Sequence, residues 1–79
     1  MQKINVVTNA GTWTTVPDFN KGLWCLWLGN EDQHKIYFIV SSSVITILNQ
    51  SWYNISMQLE SDGFQIKYGS STTVNLGRR

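Results

Sequence analysis

Charge is scarce in this chain. Asp, Glu, Lys and Arg make up 14% of its 79 residues, against about 25% in an ordinary globular domain, and the net charge is +1. Ser, Thr, Asn and Gln take their place, so the expected surface is neutral and hydrogen-bonding, better suited to sugars or to self-association than to polyanions. A nucleic-acid binder would show a basic patch. Here Lys3, Lys21, Lys35 and Lys67 are spread along the chain and only Arg78 and Arg79 adjoin, so nucleic acid is not an expected partner. Cysteine is limited to Cys25, which excludes an internal disulfide and a thiolate-rich metal site. Its apolar neighbours mark it as a buried small hydrophobe. No run approaches the roughly 18 apolar residues that would cross a bilayer, and Met1 to Asn5 lacks the apolar centre of a signal peptide. Membrane insertion is not expected, and without a signal peptide the residues by themselves lead to the expectation of a cytoplasmic location.

Catalytic patterns are equally thin. There is no Gly-x-Ser-x-Gly elbow, and the six glycines are dispersed as turn residues rather than gathered in a phosphate loop. Glu31, Asp32 and His34 could approach a cation, but a metal centre needs more ligands held in fixed geometry. That stretch reads as a solvated hairpin tip. No enzyme activity, no metal and no cofactor are expected.

What the chain does have is Leu23-Trp24-Cys25-Leu26-Trp27-Leu28 between Gly22 and Gly29. At the strand period of two, Leu23, Cys25 and Trp27 point one way and Trp24, Leu26 and Leu28 the other. Both faces are apolar, and each buried Trp removes roughly 150–250 Å² from water, about 4–6 kcal/mol at ~25 cal/mol per Å². A chain this small can cover one face of such a strand more easily than two. The expectation is that another copy covers the second face, with Trp24, Leu26, Trp27, Leu28, Tyr37 and Ile39 at an oligomer interface.

The remaining pattern is that of strands. Ile4 and Val6 mark a first strand before Asn9-Ala10-Gly11, and Thr12 to Val16 reads as an edge strand stopped by Pro17. Lys35 to Val40 and Val44 to Leu48 are apolar on both faces. Tyr53, Ile55, Met57 and Leu59 alternate with Trp52, Asn54, Ser56, Gln58 and Glu60, so Trp52 points outward and Tyr53 inward. Asp62-Gly63 marks a tight hairpin into Phe64, Ile66 and Tyr68, and Thr72 to Leu76 forms the last strand. No segment holds helical spacing. Residues 1–79 are expected to form a single all-β domain of about seven strands, a small antiparallel β-sandwich or flattened barrel.

Aromatic rings left out of phase are the functional signal, because a ring flanked by amides and hydroxyls can stack on a sugar while its neighbours hydrogen-bond the hydroxyls. Trp13 and Trp52 are the expected stacking residues, with Asn30, Gln33 and Asn54 beside them. On this reading Trp52→Ala would weaken ligand binding with little loss of stability, and Trp27→Ala would dissociate the assembly.

Tyr37 to Ile47, the hairpin Ile55 to Tyr68 and the strand Thr73 to Leu76 give the chain a texture that resembles the C-terminal tip domains of bacteriophage tail fibres and related phage receptor-binding proteins. The resemblance implies a homotrimer on the virion that attaches to a host cell-surface glycan or protein, with residues 1–10 where a fibre shaft enters. The alternatives from the residues alone are a monomeric small β-barrel binding module for peptide or single-stranded nucleic acid, and a small inhibitor of a host protein.

Overall fold

A computed structural model describes residues 2–29 and 34–79 of the chain. It contains eight strands: β1 Lys3–Val7, β2 Thr14–Thr15, β3 Gly22–Leu28, β4 His34–Ser41, β5 Val44–Gln50, β6 Ile55–Glu60, β7 Gly63–Tyr68 and β8 Thr73–Arg78. All pairings are antiparallel. They form one five-stranded sheet in the order β1-β8-β3-β4-β5 and one three-stranded sheet in the order β2-β7-β6. The expected all-β class is observed, with two packed sheets.

Chain order explains the arrangement. β3, β4 and β5 form a meander, with the pairs Leu28 to His34 and Ser41 to Val44 closing its two hairpins. Residues 51–54 then carry the chain across to the second sheet, where β6 and β7 pair around Ser61 and Asp62. The turn is one residue earlier than Asp62-Gly63 suggests: Gly63 is the first residue of β7 and holds φ 128°, a conformation that disfavours a side chain. Finally β8 returns to the larger sheet and inserts between β1 and β3.

The alternation of side chains decides what lies between the sheets. Ile4 and Val6 of β1, Val74 and Leu76 of β8, Trp24 and Leu26 of β3, and Ile36, Phe38 and Val40 of β4 all point inward, against Phe64 and Ile66 of β7 and Ile55 of β6. Four rings form the centre of this layer. Phe19 stacks on Trp24 at 4.6 Å and on Phe64 at 4.3 Å, and Phe64 stacks on Phe38 at 5.5 Å. The Trp24 indole N–H donates to the carbonyl of Asn20 at 2.7 Å, so its one polar atom is satisfied.

Two expectations about orientation are corrected here. Trp24 and Leu26 are both 0% exposed within a single chain, because the three-stranded sheet already covers their face; neither is available to a partner. Trp52 is 3% exposed and Tyr53 73%, the reverse of the alternation read through them. β6 begins only at Ile55, so residues 52 and 53 belong to the crossover and do not obey the strand period. Trp52 closes the end of the core, edge-on to Tyr68 at 5.0 Å.

One buried polar residue fastens the open connection between β1 and β2. Thr8 is fully buried. Its Oγ1 is 2.8 Å from the Ser70 carbonyl and 3.1 Å from the Thr72 carbonyl, and it accepts from the Thr72 N–H at 3.2 Å. Its own N–H donates to Thr72 at 2.8 Å. The hydroxyl therefore ties the end of β1 to the turn that admits β8 to the sheet. Thr8→Val keeps the shape and removes the hydroxyl's bonds, so the part-buried Ser70 carbonyl and Thr72 N–H lose that partner. Urea denaturation is expected to show a loss of about 1–3 kcal/mol; a change within ~0.5 kcal/mol, as for an ordinary surface site, would contradict this role.

Candidate functional site

The five strands of the larger sheet, KINVV, GLWCLWL, HKIYFIVS, VITILNQ and TVNLGR, contain no Asp or Glu. Their inward residues are the core, so the outward residues form the candidate surface: Lys3 and Asn5 on β1, Asn75 and Gly77 on β8, Leu23, Cys25 and Trp27 on β3, and Lys35, Tyr37 and Ile39 on β4. The register sets these side by side, with Lys3 opposite Gly77, Gly77 opposite Cys25, Cys25 opposite Tyr37, and Asn75 opposite Trp27 and Asn5.

Gly77 decides how Trp27 lies. A Cβ at position 77 would stand 3.1 and 3.2 Å from the outer carbons of the indole's six-membered ring, closer than a carbon can comfortably approach. With hydrogen there, the ring leans across β8 toward β1. Lys3 Nζ then reaches 5.7 Å from the ring centroid, and the Arg79 guanidinium is also 5.7 Å from it. Arg79 extends the pairing of β8, its N–H donating to the Leu23 carbonyl at 2.8 Å. The same guanidinium is 6.0 Å from the Tyr37 ring, which Lys35 Nζ approaches to 5.8 Å. Three cations thus surround two rings, each contact worth about 0.5–1 kcal/mol at an exposed site.

This arrangement also answers how a strand apolar on both faces is accommodated. Cys25 is fully buried, whereas Leu23, Trp27, Tyr37 and Ile39 are half-buried. Neighbouring side chains on the same face cover Cys25 without a second subunit. Of the expected interface residues, Trp27, Tyr37 and Ile39 share this outer face, Leu28 packs against the rim of the core, and Trp24 and Leu26 lie inside it.

The expected sugar-stacking set does not assemble. Trp52 is in the core, with Asn54 exposed two residues on in the crossover. Trp13 is half-buried just ahead of β2, and Lys67 Nζ stands 4.9 Å from its ring centroid. Asn30 and Gln33 lie outside the described residues, as do Glu31 and Asp32. His34 is exposed, its ring 6.5 Å from Trp52 and tilted by 48°. Among the described residues no group of three or more His, Cys, Asp or Glu side chains could hold a metal ion, and no helix is long and apolar enough to cross a membrane.

In linear order Trp27 belongs to a strand apolar on both faces and the lysines are dispersed, so neither marks this face. The β3–β4 hairpin sets Lys35 opposite Trp27, and Lys3 and Arg79 reach the same ring because β8 stands between β1 and β3.

Apart from this face, an open cleft of about 480 Å³ lies at one end of the sandwich. Phe19, Val40, Leu59 and Phe64 form its apolar wall, and Lys21, Ser42, Ser43, Glu60 and Ser61 its polar lining. Its wall is continuous with the ring stack of the core, so it is the uncovered end of that layer.

No family model matches the chain, and no match was found among curated proteins or solved structures.

Two substitutions test the placement of the indoles. Gly77→Ala is expected to lift Trp27 from the sheet; the ring can move toward solvent, so the stability loss should stay within about 1–3 kcal/mol while the near-UV circular dichroism of Trp changes. An unchanged spectrum would contradict the close approach. Trp52→Ala is expected to cost about 3–5 kcal/mol in chemical denaturation, whereas a loss below ~0.5 kcal/mol would return Trp52 to the surface.

Proposed function

We propose that the protein is a non-catalytic recognition module that binds an acidic glycan of a cell surface on the outer face of its five-stranded sheet. One observation carries this reading: Lys3, Lys35 and Arg79 surround Trp27 and Tyr37 on a sheet whose strands contain no carboxylate. The part of the indole that Lys3 and Arg79 leave uncovered offers a flat apolar surface to the C–H face of a sugar ring. The ammonium and guanidinium over the ring suit the carboxylate or sulfate of that sugar, since hydrogen bonds to charged groups are the stronger class. Asn5 and Asn75 supply amides on the same face for the neutral hydroxyls.

The reading keeps the attachment role implied by the resemblance to fibre tips and moves the contacts from Trp13, Trp52 and Asn54 to Trp27 and its cations. It also favours an anionic ligand over the neutral sugar that the composition suggests. Single-stranded nucleic acid is the rival for a basic aromatic surface. Three cations would give its affinity a salt exponent of about −2, at ~0.7 per phosphate neutralised.

The test is calorimetric titration with three probes: oligogalacturonate, its neutral methyl ester, and an oligothymidylate. Oligogalacturonate is expected to bind most tightly. Trp27→Ala and Lys35→Ala should each weaken it roughly tenfold, about 1.4 kcal/mol. Equal binding of the neutral ester would remove the role of the cations, and preferential binding of the oligothymidylate would replace the glycan with nucleic acid.

A further inference from the structure

The cleft at the end of the sandwich shares no residue with the glycan surface. The loop before β3, the β4–β5 hairpin and the β6–β7 hairpin build it. Its floor is apolar: Val40 and Phe64 are buried, and Phe19 and Leu59 are half-buried. Phe19 is held there by stacking on Trp24 and Phe64. The mouth is polar, and its two charges come from opposite sheets. Lys21 precedes Gly22, which pairs with Val40 in the larger sheet, and Glu60 ends β6 in the smaller. Packed sheets stand about 10 Å apart, a gap that two long side chains can close around a small molecule. The Lys21 backbone is fixed, since its carbonyl accepts from the Arg78 guanidinium at 3.0 Å. Neither the Lys21 ammonium nor the Glu60 carboxylate has a partner among the described residues.

Ser42 stands at the same mouth under backbone strain. It follows Ser41 in the tight turn to Val44 and holds φ 56°, a conformation that glycine adopts freely and a side chain does not. Strain of this kind gathers at ligand sites, where the side chain that causes it has a use. Here that side chain is a hydroxyl lining the cleft.

We propose that the cleft binds a free aromatic amino acid. Its volume of about 480 Å³ falls in the roughly 300–1,000 Å³ range of small-molecule sites, which are mostly apolar with a few placed polar groups. The ligand's ring enters along Phe19 and Phe64, where aromatic pairs gain more than their burial. Its carboxylate meets the Lys21 ammonium and accepts from the Ser42 hydroxyl, and its ammonium donates to Glu60. The charges select this occupant. An aromatic acid without an amine sets its carboxylate near Glu60 with nothing to offset it, and an aromatic amine does the same to Lys21. A zwitterion satisfies both, and a free amino acid carries the two charges on one carbon, above its ring. The site does not rest on the glycan reading.

The experiment is a titration followed by amide NMR with four probes: L-phenylalanine, 3-phenylpropionate without the ammonium, phenethylamine without the carboxylate, and glycine without the ring. L-phenylalanine is expected to bind most tightly, shifting the amides of Phe19 to Gly22, of Ser42 and Ser43, and of Glu60 to Phe64. Each other probe should bind at least about tenfold more weakly, a difference of about 1.4 kcal/mol. Glu60→Gln should bring phenylpropionate level with L-phenylalanine, and Lys21→Gln should do the same for phenethylamine. Ser42→Gly should raise the urea midpoint while weakening L-phenylalanine severalfold. Absence of saturable shifts with L-phenylalanine, shifts centred on Trp27 instead of the cleft, or an order of probes unchanged by Glu60→Gln and Lys21→Gln would each overturn the inference. Should a variant lose its fold by circular dichroism, the order of the four probes on the parent chain decides, and equal binding of phenylpropionate or phenethylamine overturns the zwitterion.

Discussion

The stack of Phe19, Trp24, Phe64 and Phe38 between the two sheets is the contact on which the rest depends. Phe19 comes from the loop before β3, Trp24 from β3, Phe38 from β4 and Phe64 from β7, so the stack joins the larger sheet to the smaller across the full thickness of the layer. Once Trp24 is committed to that layer, the strand period commits Trp27 to the opposite face. The core and the candidate binding surface are two sides of one strand, and their placement is a single decision.

β3 poses a difficulty that the fold resolves unequally on its two sides. Inside, the three-stranded sheet removes Trp24 and Leu26 from water altogether. Outside, no layer of the described residues covers the strand, and its neighbours shield what they can. Cys25 disappears beneath adjacent side chains, while Trp27 and Tyr37 keep part of their rings at the surface, with cations nearby. Amphipathic side chains such as Lys and Arg cover apolar surface with their stems and leave their charges in water, which shields the rings and makes the same face electropositive. Glycine at position 77 gives the indole its resting place. A side chain there would hold the ring away from β1 and from Lys3.

The two edges of the larger sheet differ in character. The β1 side contributes Lys3 to the outer face and carries that charge at its edge, whereas β5 is uncharged and its Val44, Ile47 and Leu48 are exposed.

Much of this architecture could be read directly from residue order. The absence of helical spacing, the alternation of Ile4 and Val6, of Phe64 and Ile66, and of Val74 and Leu76, and the turn chemistry around Asp62-Gly63 fix an all-β domain and most strand positions, because strand period and turn preference are local properties. Two kinds of information are not local. The crossover at residues 51–54 interrupts the alternation, and only the change of sheet puts Trp52 inside and Tyr53 outside. The insertion of β8 between β1 and β3 pairs the last strand with the first and with one from the middle of the chain, and it alone brings Lys3 and Arg79 to Trp27. Local chemistry says which segments are strands and which sides of them avoid water; long-range pairing chooses which strands are neighbours, and a surface made by neighbours has no counterpart in the linear order.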